Sequence, residues 1–316
     1  MLVSMENEAR PKGWMTMGIK KVVVAGGGTI GSQIAYQAAY SGFTVTIYDR
    51  SVAAVAATKR RTATWDQVYA ERLFATPAVV YDTNERIHYA TDLETAVEGA
   101  DLIIEAIPEV LAVKNESYAA LAKVVSAQSI LVTNSSTFLP SQFATISGHP
   151  ENFLALHFTP HVWPNQPAEI MGQTLTTRTA YQAVVEFVRE IDMVPIQLTK
   201  EQPAYILNTL MAPFLESALL LWEKGVAEPE MIDRAWMIAT GGTKGPFGIL
   251  DEMDLRSAYR LMLATGAEPG KEALVAVARR LKTEMLDKHR YGQISGRGFY
   301  HYPQPAYSSP GFLKHK

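Results

Sequence analysis

The chain has 316 residues, of which 47% are apolar, with 29 Lys and Arg against 32 Asp and Glu and no cysteine. This length is enough for about two domains, each with its own core. The net charge of −3 argues against a nucleic-acid-binding protein, and the lack of cysteine excludes disulfides, thiolate metal sites and a cysteine nucleophile.

Residues 1–18 are predicted to be an extension that precedes the fold. The segment carries charged residues and no apolar central region, so it does not resemble a secretory signal. Without that signal and without cysteine, we expect a cytoplasmic protein.

Strands alternate with helices from Lys20 to about residue 200. Short apolar runs predict the strands Val22–Ala25, Phe43–Tyr48, Leu102–Ile107, Ile130–Thr133 and Leu154–Phe158. Periodic segments predict the helices Ile30–Tyr40 and Val52–Leu73. This alternation predicts an α/β domain over residues 19–200, a Rossmann-type doubly wound parallel sheet.

Beyond residue 200 the pattern becomes helical. Amphipathic helices are predicted at Tyr205–Lys224, Glu228–Ile238, Leu250–Leu263 and Lys271–Lys288. Residues 201–316 are therefore expected to form an all-α domain. No apolar run reaches the length of about 18 residues that a membrane helix needs. The first of these helices carries more apolar surface than a small domain easily buries, which predicts a homodimer through this domain; a monomer that buries this surface internally is the alternative.

A glycine-rich turn follows the first predicted strand directly. Gly26, Gly28 and Gly31 fit the pattern G-x-G-x-x-G, and Thr29 and Ile30 stand at the start of the first helix. The glycines permit a tight turn, a close approach of the backbone to a pyrophosphate, and close packing of helix on strand. The free N–H groups of the helix N-terminus then face the phosphates.

An acidic residue, Asp49, ends the second predicted strand 18 residues after Gly31 (49 − 31 = 18). A carboxylate there accepts hydrogen bonds from ribose hydroxyls and repels the 2′-phosphate of NADP. A glycine pattern alone is also found as a tight turn in other α/β proteins. With strand, helix and Asp49 in register, the pattern predicts that the cofactor is NAD.

His157 ends an apolar strand and is the candidate base. Histidine suits this task because the unperturbed pKa of its side chain is about 6.5. Glu169 lies 12 residues later (169 − 157 = 12), after a Pro-rich loop, so the chain can return a carboxylate to the imidazole. A histidine that is merely hydrogen-bonded at a strand end is the alternative.

Two further polar positions stand out. The run Asn134–Thr137 follows the strand Ile130–Thr133, at the carboxyl end of the sheet, where ligands bind in open α/β folds. The same run could also cap a helix. Asn208 lies inside an apolar helix, where an amide without a hydrogen-bond partner is costly. This position indicates a functional role for the amide; a hydrogen bond to neighbouring backbone is the alternative.

Seven segments, in order, carry a resemblance to a known family: GGGTIG, IIEAIPE with Lys114, TNSST, LALHF, TKEQPAYILN, GTKGPFGILD and GRGFYHY. The chain resembles the 3-hydroxyacyl-CoA dehydrogenases from about Ile19 to Tyr302. The resemblance implies NAD-dependent oxidation of a short-chain 3-hydroxyacyl-CoA, such as 3-hydroxybutyryl-CoA, and its reverse, as part of fatty acid metabolism.

The resemblance also implies the roles of individual residues. The catalytic His–Glu pair of the family corresponds to His157 and Glu169, and the groups that hold the substrate oxygen correspond to Ser136 and Asn208. The set implied for the cofactor is Gly26, Gly28, Thr29, Ile30, Gly31, Asp49, Glu109, Lys114 and Asn134. No metal is expected.

The loop after the histidine departs from the family. The chain reads HFTPH where the family usually has HFFNP, and the loop Pro160–Pro167 also contains Trp163. This departure keeps open a dehydrogenase for a small polar hydroxy acid, similar to carnitine or gulonate, and a catalytically silent NAD-binding protein. The basic run Lys59–Arg61 lies where members of the family bind the CoA phosphates, which favours an acyl-CoA as the substrate. Such a run is also typical of a solvated helix face.

Overall fold

The computed structural model describes residues 18–159 and 162–314. Apart from residue 18, the predicted N-terminal extension lies outside the described residues, and so do Pro160 and His161. The chain forms two compact units, of which the first ends at Ile206 and the second begins at Leu207.

The strands of the first unit form a single sheet. In the described part of the chain they are β1 (Lys21–Ala25), β2 (Thr44–Tyr48), β3 (Ile87–Ala90), β4 (Leu102–Glu105), β5 (Ile130–Thr133), β6 (Phe153–Phe158), β7 (Pro167–Met171) and β8 (Val194–Leu198). Their order is β3-β2-β1-β4-β5-β6-β7-β8, and every neighbouring pair is parallel except β6 with β7. The order from β3 to β6 is that of dinucleotide-binding sheets, which confirms the predicted Rossmann-type fold.

The central strands of the sheet can be predicted from the sequence more easily than the strands near its edges. Every residue of β4, β5 and β6 is buried, and such strands read as apolar runs. The sequence pattern does not predict β3, β7 or β8. Strands β3 and β8 are partly exposed and mixed in polarity, and β7 begins with a proline, which a strand tolerates at its first position.

Helices connect the strands of the first unit. They are α1 (Thr29–Tyr40), α2 (Val52–Arg72), α3 (Pro77–Glu85), α4 (Leu93–Val97), α5 (Leu111–Leu121) and α6 (Arg178–Glu190). The hydroxyl of Ser51 accepts a hydrogen bond from the N–H of Ala54 and so caps α2. Helix α6 buries Val184, Phe187 and Val188 in the core of the first unit.

The second unit contains the helices α7 (Leu207–Glu223), α8 (Pro229–Thr240), α9 (Pro246–Met253), α10 (Leu255–Gly266) and α11 (Ala273–Glu284). The single predicted helix Leu250–Leu263 is wrong. Asp254 has φ of +74°, which ends α9, and its carboxylate accepts a hydrogen bond from the N–H of Arg256 to start α10. None of the described helices has the length and apolarity needed to cross a membrane.

Two buried carboxylates organise the core of the second unit. Asp233 accepts hydrogen bonds from the N–H groups of Phe247 and Gly248 at 2.9 and 3.0 Å. Asp251 accepts from the N–H groups of Phe299 and Tyr300, both at 2.9 Å. The two carboxylates thereby fasten α8, α9 and the C-terminal segment to one another, since the hydroxyl of Tyr300 also donates to Asp233 at 2.9 Å.

Candidate active site

The glycine-rich turn between β1 and α1 has the form that a dinucleotide requires. Gly26 has φ of +109°, and a Cβ there would lie 2.6 Å from the carbonyl oxygen of Ala106. A Cβ on Gly31 would collide with the carbonyl oxygen of Gly26. Gly28 precedes α1, and apart from its own chain neighbours no residue comes within 4 Å of where its Cβ would be. The turn is therefore tight on the protein side and open on the other.

A cavity of about 860 Å³ lies in front of this turn. The ends of β2, β4 and β5 also contribute to it, and Asp49 at the end of β2 accepts a hydrogen bond from the N–H of Gly27 at 3.2 Å. The sequence-predicted residues that line the cavity are Gly26, Gly28, Thr29, Ile30, Asp49, Glu109, Lys114, Asn134 and Ser136. A turn free of side chains, a helix N-terminus and an acidic strand end are the features that fit NAD.

A largely buried charge network forms part of the wall of this cavity. The ammonium of Lys114, 1% exposed, donates to Glu105 Oε1 at 2.7 Å and lies 3.2 Å from Glu109 Oε2. Glu105 also accepts hydrogen bonds from Tyr118 at 2.5 Å and from Thr133 at 2.8 Å. Sequence analysis did not single out Glu105, although an acid at the end of an otherwise apolar strand is a signal that could have identified it.

Glu109 fastens the loop that follows β5. Its carboxylate accepts hydrogen bonds from the N–H of Thr137 at 3.0 Å, from the hydroxyl of Thr137 at 2.8 Å, and from the hydroxyl of Ser135. Burial opposes ionisation, but these hydrogen bonds and the charge of Lys114 hold the pKa of Glu109 below its ordinary value. Glu109 is therefore an anion at neutral pH, and it fixes the residues on both sides of Ser136.

His157 and Glu169 are direct partners in the antiparallel pair β6 and β7. His157 Nδ1 lies 3.0 Å from Glu169 Oε2, and both side chains are buried. On the other side of the ring, Nε2 lies 3.2 Å from the hydroxyl of Ser136. Asn134 Oδ1 accepts a hydrogen bond from the N–H of Phe158 at 2.8 Å and so ties the end of β5 to β6. The structure thus brings three of the four predicted catalytic residues into one hydrogen-bonded chain.

Tyr205, which sequence analysis did not single out, covers one face of the imidazole. Its ring is nearly parallel to that of His157, with an angle of 17° and 4.5 Å between the centroids. Its hydroxyl donates to the carbonyl oxygen of Ser135 at 2.8 Å, and the N–H of Ile206 donates to Glu169 Oε1 at 2.9 Å. The aromatic residue in TKEQPAYILN was the available signal.

Two family models match the chain one after the other. Residues 21–202 match the 3-hydroxyacyl-CoA dehydrogenase, NAD binding domain, and residues 205–302 match the 3-hydroxyacyl-CoA dehydrogenase, C-terminal domain. The chain belongs to the 3-hydroxyacyl-CoA dehydrogenase family. It is an NAD-dependent oxidoreductase that acts on a CH–OH group.

Relatives within this family match along nearly their whole length. Human mitochondrial hydroxyacyl-coenzyme A dehydrogenase is 30% identical over 291 residues, which cover 90% of this chain and 91% of the relative. A probable 3-hydroxybutyryl-CoA dehydrogenase of Bacillus subtilis is 29% identical, with 91% and 99% covered. A solved diketoreductase structure, described by its catalysis of dicarbonyl compounds, is 43% identical with a TM-score of 0.85 and 90% and 99% covered. These names cover both CoA thioesters and dicarbonyl compounds.

The fourth predicted catalytic residue of this family member lies in the second unit. Asn208 is the second residue of α7, and its role remains a prediction. Gly31 does not line the cavity but lies in the first turn of α1, where it packs on Gly26. Among the described residues, no group of three or more His, Asp or Glu side chains is placed to hold a metal ion.

Proposed function

We propose that this dehydrogenase interconverts a short 3-hydroxyacyl-CoA and the corresponding 3-ketoacyl-CoA, with His157 as the acid–base group. The observation that carries the proposal is the hydrogen-bonded chain from Ser136 through His157 to Glu169, beside a cavity that fits NAD. Oxidation of a secondary alcohol requires a base that can take the hydroxyl proton. His157 fits this role because Glu169 orients its ring at Nδ1 while Nε2 faces the hydroxyl of Ser136.

Glu169 determines which ring nitrogen of His157 carries the proton. Its carboxylate accepts a hydrogen bond from Nδ1–H, so the lone pair of Nε2 faces Ser136. His157 Nε2 takes the proton of the substrate hydroxyl as the alcohol carbon loses a hydride, and Glu169 then stabilises the imidazolium. In the reverse direction the imidazolium returns this proton to the ketone oxygen.

Ser136 and Asn208 are proposed to hold the substrate oxygen. A hydroxyl and an amide that both donate to this oxygen fix the C–H bond in the orientation needed for reaction. NAD supplies the hydride acceptor, and the glycine turn, Asp49, Glu109 and Lys114 are proposed to hold it. The geometry of the loop after β5 supports this arrangement because Glu109 fixes Ser135 and Thr137, the neighbours of Ser136.

A CoA-free dicarbonyl compound is a second candidate substrate. The 43% identity to a diketoreductase exceeds the 30% identity to the human CoA dehydrogenase. A 3-ketoacyl-CoA and a free 1,3-dicarbonyl compound present the same ketone one carbon away from a second carbonyl. The proposed acid–base chemistry therefore serves both, and the two substrates differ only in the CoA group.

Oxidation of NADH with acetoacetyl-CoA and with ethyl acetoacetate tests the substrate and the base together. We expect turnover of acetoacetyl-CoA, and in His157→Gln a decrease in kcat of about 10²- to 10⁴-fold because the proton donor is lost. The dissociation constant for NADH should stay unchanged in this variant. Turnover of ethyl acetoacetate alone would replace the CoA proposal with the second candidate.

Inactivity of the wild type with both ketones, while NADH still binds, would contradict both substrate proposals. The polar hydroxy acids, carnitine and gulonate, would then be the next substrates to test. Full activity of His157→Gln would contradict the assigned base.

We further propose that the protein is a homodimer through its helical unit. Several large apolar side chains of this unit are exposed in the single chain: Leu210 at 68%, Met231 at 53%, Trp236 at 41% and Ile238 at 60%. The ring centroids of Phe214 and Trp236 are 4.3 Å apart, and Leu210 lies one turn before Phe214, so Leu210 and Trp236 belong to one apolar face of α7 and α8. Met231 and Ile238 lie on another side of α8. Such a face is typical of a subunit interface, and the mass of the protein in solution tests this proposal.

A further inference from the structure

Tyr205 and Ile206 contact His157, Glu169 and the residue before Ser136 at the candidate site. The Tyr205 ring stacks on His157, and its hydroxyl is hydrogen-bonded to the residue before Ser136. The N–H of Ile206 is hydrogen-bonded to Glu169 on the oxygen that does not face His157. One short turn therefore touches the ring, the carboxylate and the serine loop together.

The backbone of this turn adopts an unfavourable conformation. Ala204 and Tyr205 have φ of +63° and +56°, a region that residues with a Cβ rarely adopt. Two such residues in succession persist only where surrounding contacts enforce them, and strained positions cluster at active sites. The N–H of Tyr205 donates to the carbonyl oxygen of Gln202 at 3.1 Å, which closes the turn. This conformation presents the Tyr205 ring, 1% exposed, to His157.

The stacked geometry places the imidazolium that forms on proton uptake against the face of the Tyr205 ring. The face of an aromatic ring carries partial negative charge and attracts a cation placed over it. This attraction is larger in a buried site, and His157 is 3% exposed. The carboxylate of Glu169 acts on the same imidazolium from the ring edge.

The hydroxyl of Tyr205 serves as a hydrogen-bond donor. Burial, and then the charges of Glu169, Glu109 and Glu105, raise the pKa of Tyr205. The phenol therefore stays protonated and does not compete with His157 for the substrate proton. It holds the carbonyl of Ser135 and so helps to set the position of Ser136.

We propose that Tyr205 is a positioning residue, which fixes the plane of the His157 ring and stabilises the imidazolium that forms when the substrate proton is taken. The proposal rests on the proposed role of His157 as the base. Among residues 18–159 and 162–314, the titratable groups placed against this ring are Glu169 on β7 and Tyr205 itself, with Glu109 beyond the serine loop. The two carboxylates are present in every variant below, so a change in pH dependence reports on Tyr205.

Two substitutions separate the ring of Tyr205 from its hydroxyl. Tyr205→Phe keeps the stacked ring and removes the hydroxyl that donates to Ser135, whereas Tyr205→Leu removes both the ring and the hydroxyl. The measurement is kcat/KM for oxidation of 3-hydroxybutyryl-CoA, or of ethyl 3-hydroxybutyrate if that ester is the substrate, between pH 5 and 10. NADH binding and circular dichroism establish that each variant is folded.

The two variants are expected to differ in their pH profiles. For Tyr205→Leu, the pH at which kcat/KM reaches half its plateau should move down by about 0.5–1 unit, because the imidazolium loses the stacked ring. Its kcat should fall about 10- to 100-fold, because the ring is no longer held in place. For Tyr205→Phe, the half-plateau pH should stay unchanged and kcat should fall about fivefold at most.

A folded Tyr205→Leu variant with the wild-type half-plateau pH would overturn the proposal, even if its kcat fell. If Tyr205→Leu does not fold, Tyr205→Met, with a longer side chain, is subject to the same expectations. His157→Gln is measured in parallel. If it retains activity, the proposed function fails, whereas an inactive His157→Gln beside a wild-type Tyr205→Leu profile overturns this inference alone.

Discussion

Lys114 is a cation enclosed between two carboxylates, and a large part of the candidate site depends on it. It pairs with Glu105, which is completely buried, and with Glu109, which holds the loop around Ser136. A buried ion pair adds little net stability, but the loss of one partner leaves an uncompensated charge. The consequence of removing Lys114 should therefore reach both the folded state and the serine loop.

We predict that Lys114→Met lowers the free energy of unfolding by about 3–5 kcal/mol, because Glu105 then stays buried without a counter-charge. Urea unfolding followed by circular dichroism measures this change. Lys123→Met is the matched control, since Lys123 is exposed just beyond α5, and it should change the free energy by less than about 0.5 kcal/mol. Equal effects of the two substitutions would contradict the role of the buried network.

At the scale of elements, the predicted strands were those with continuous apolar runs. The sequence of β6 predicted both the strand and its histidine, because a single polar residue interrupts an apolar run there. Strand β7 was missed because its half-buried first residue is a proline and its centre carries Glu169, neither typical of a strand. The candidate site was accordingly predicted residue by residue, whereas the strand pairing that brings His157 and Glu169 together had to be observed.

The helical unit shows a second limit of periodicity. The apolar pattern over residues 250–263 continues across Asp254, so it predicts one helix. Only the positive φ of Asp254 divides it into α9 and α10. A break of this kind leaves the apolar period intact and is therefore invisible in hydrophobicity alone.

We predict that Asp251 makes the stability of the chain depend on pH. Burial raises the pKa of this carboxyl from 3.8 to about 6, although hydrogen bonds from Tyr300, Phe299 and Tyr302 favour its ionised form. A raised folded-state pKa means that the folded chain binds the proton more tightly than the unfolded chain. The free energy of unfolding should therefore decrease as the pH rises from about 4 to 6.

Asp251→Asn has no proton to exchange and serves as the reference for this prediction. The free energy of unfolding of the wild type, minus that of the variant, should be larger at pH 4 than at pH 7, by up to about 3 kcal/mol. Urea unfolding of both proteins at four pH values between 4 and 7 measures the difference. Parallel curves would show that Asp251 does not titrate in this range.

At the scale of the whole molecule, the family relationship covers both units, because the two family models together span residues 21–302 with a two-residue gap. The apolar face on α7 and α8 is not accounted for by the core of one chain. Leu210 is 68% exposed although its helix is among the most apolar of the unit. An assembly of two chains would remove this face from water.

We predict that the wild type sediments at about twice the chain mass of 34.8 kDa. Leu210→Asp should shift the equilibrium toward 34.8 kDa at micromolar concentration, because a charge is placed in the proposed interface. Leu175→Asp, at a 58% exposed leucine of the first unit, is the control and should leave the mass unchanged. A wild type that remains a monomer at all concentrations would contradict the dimer.

The antiparallel pairing of β6 with β7 fixes the proposed proton-transfer pair independently of the loop between the two strands. His157 and Glu169 are held opposite each other by the ladder of backbone hydrogen bonds, so their spacing does not depend on the loop that joins the two strands. Substitutions between residues 163 and 166, which are half-buried or exposed, can accumulate without disturbing the proposed proton-transfer pair. A slip of the ladder by one residue would instead turn Glu169 to the other face of the sheet. The proposed pair can therefore be retained while the sequence of the neighbouring loop changes.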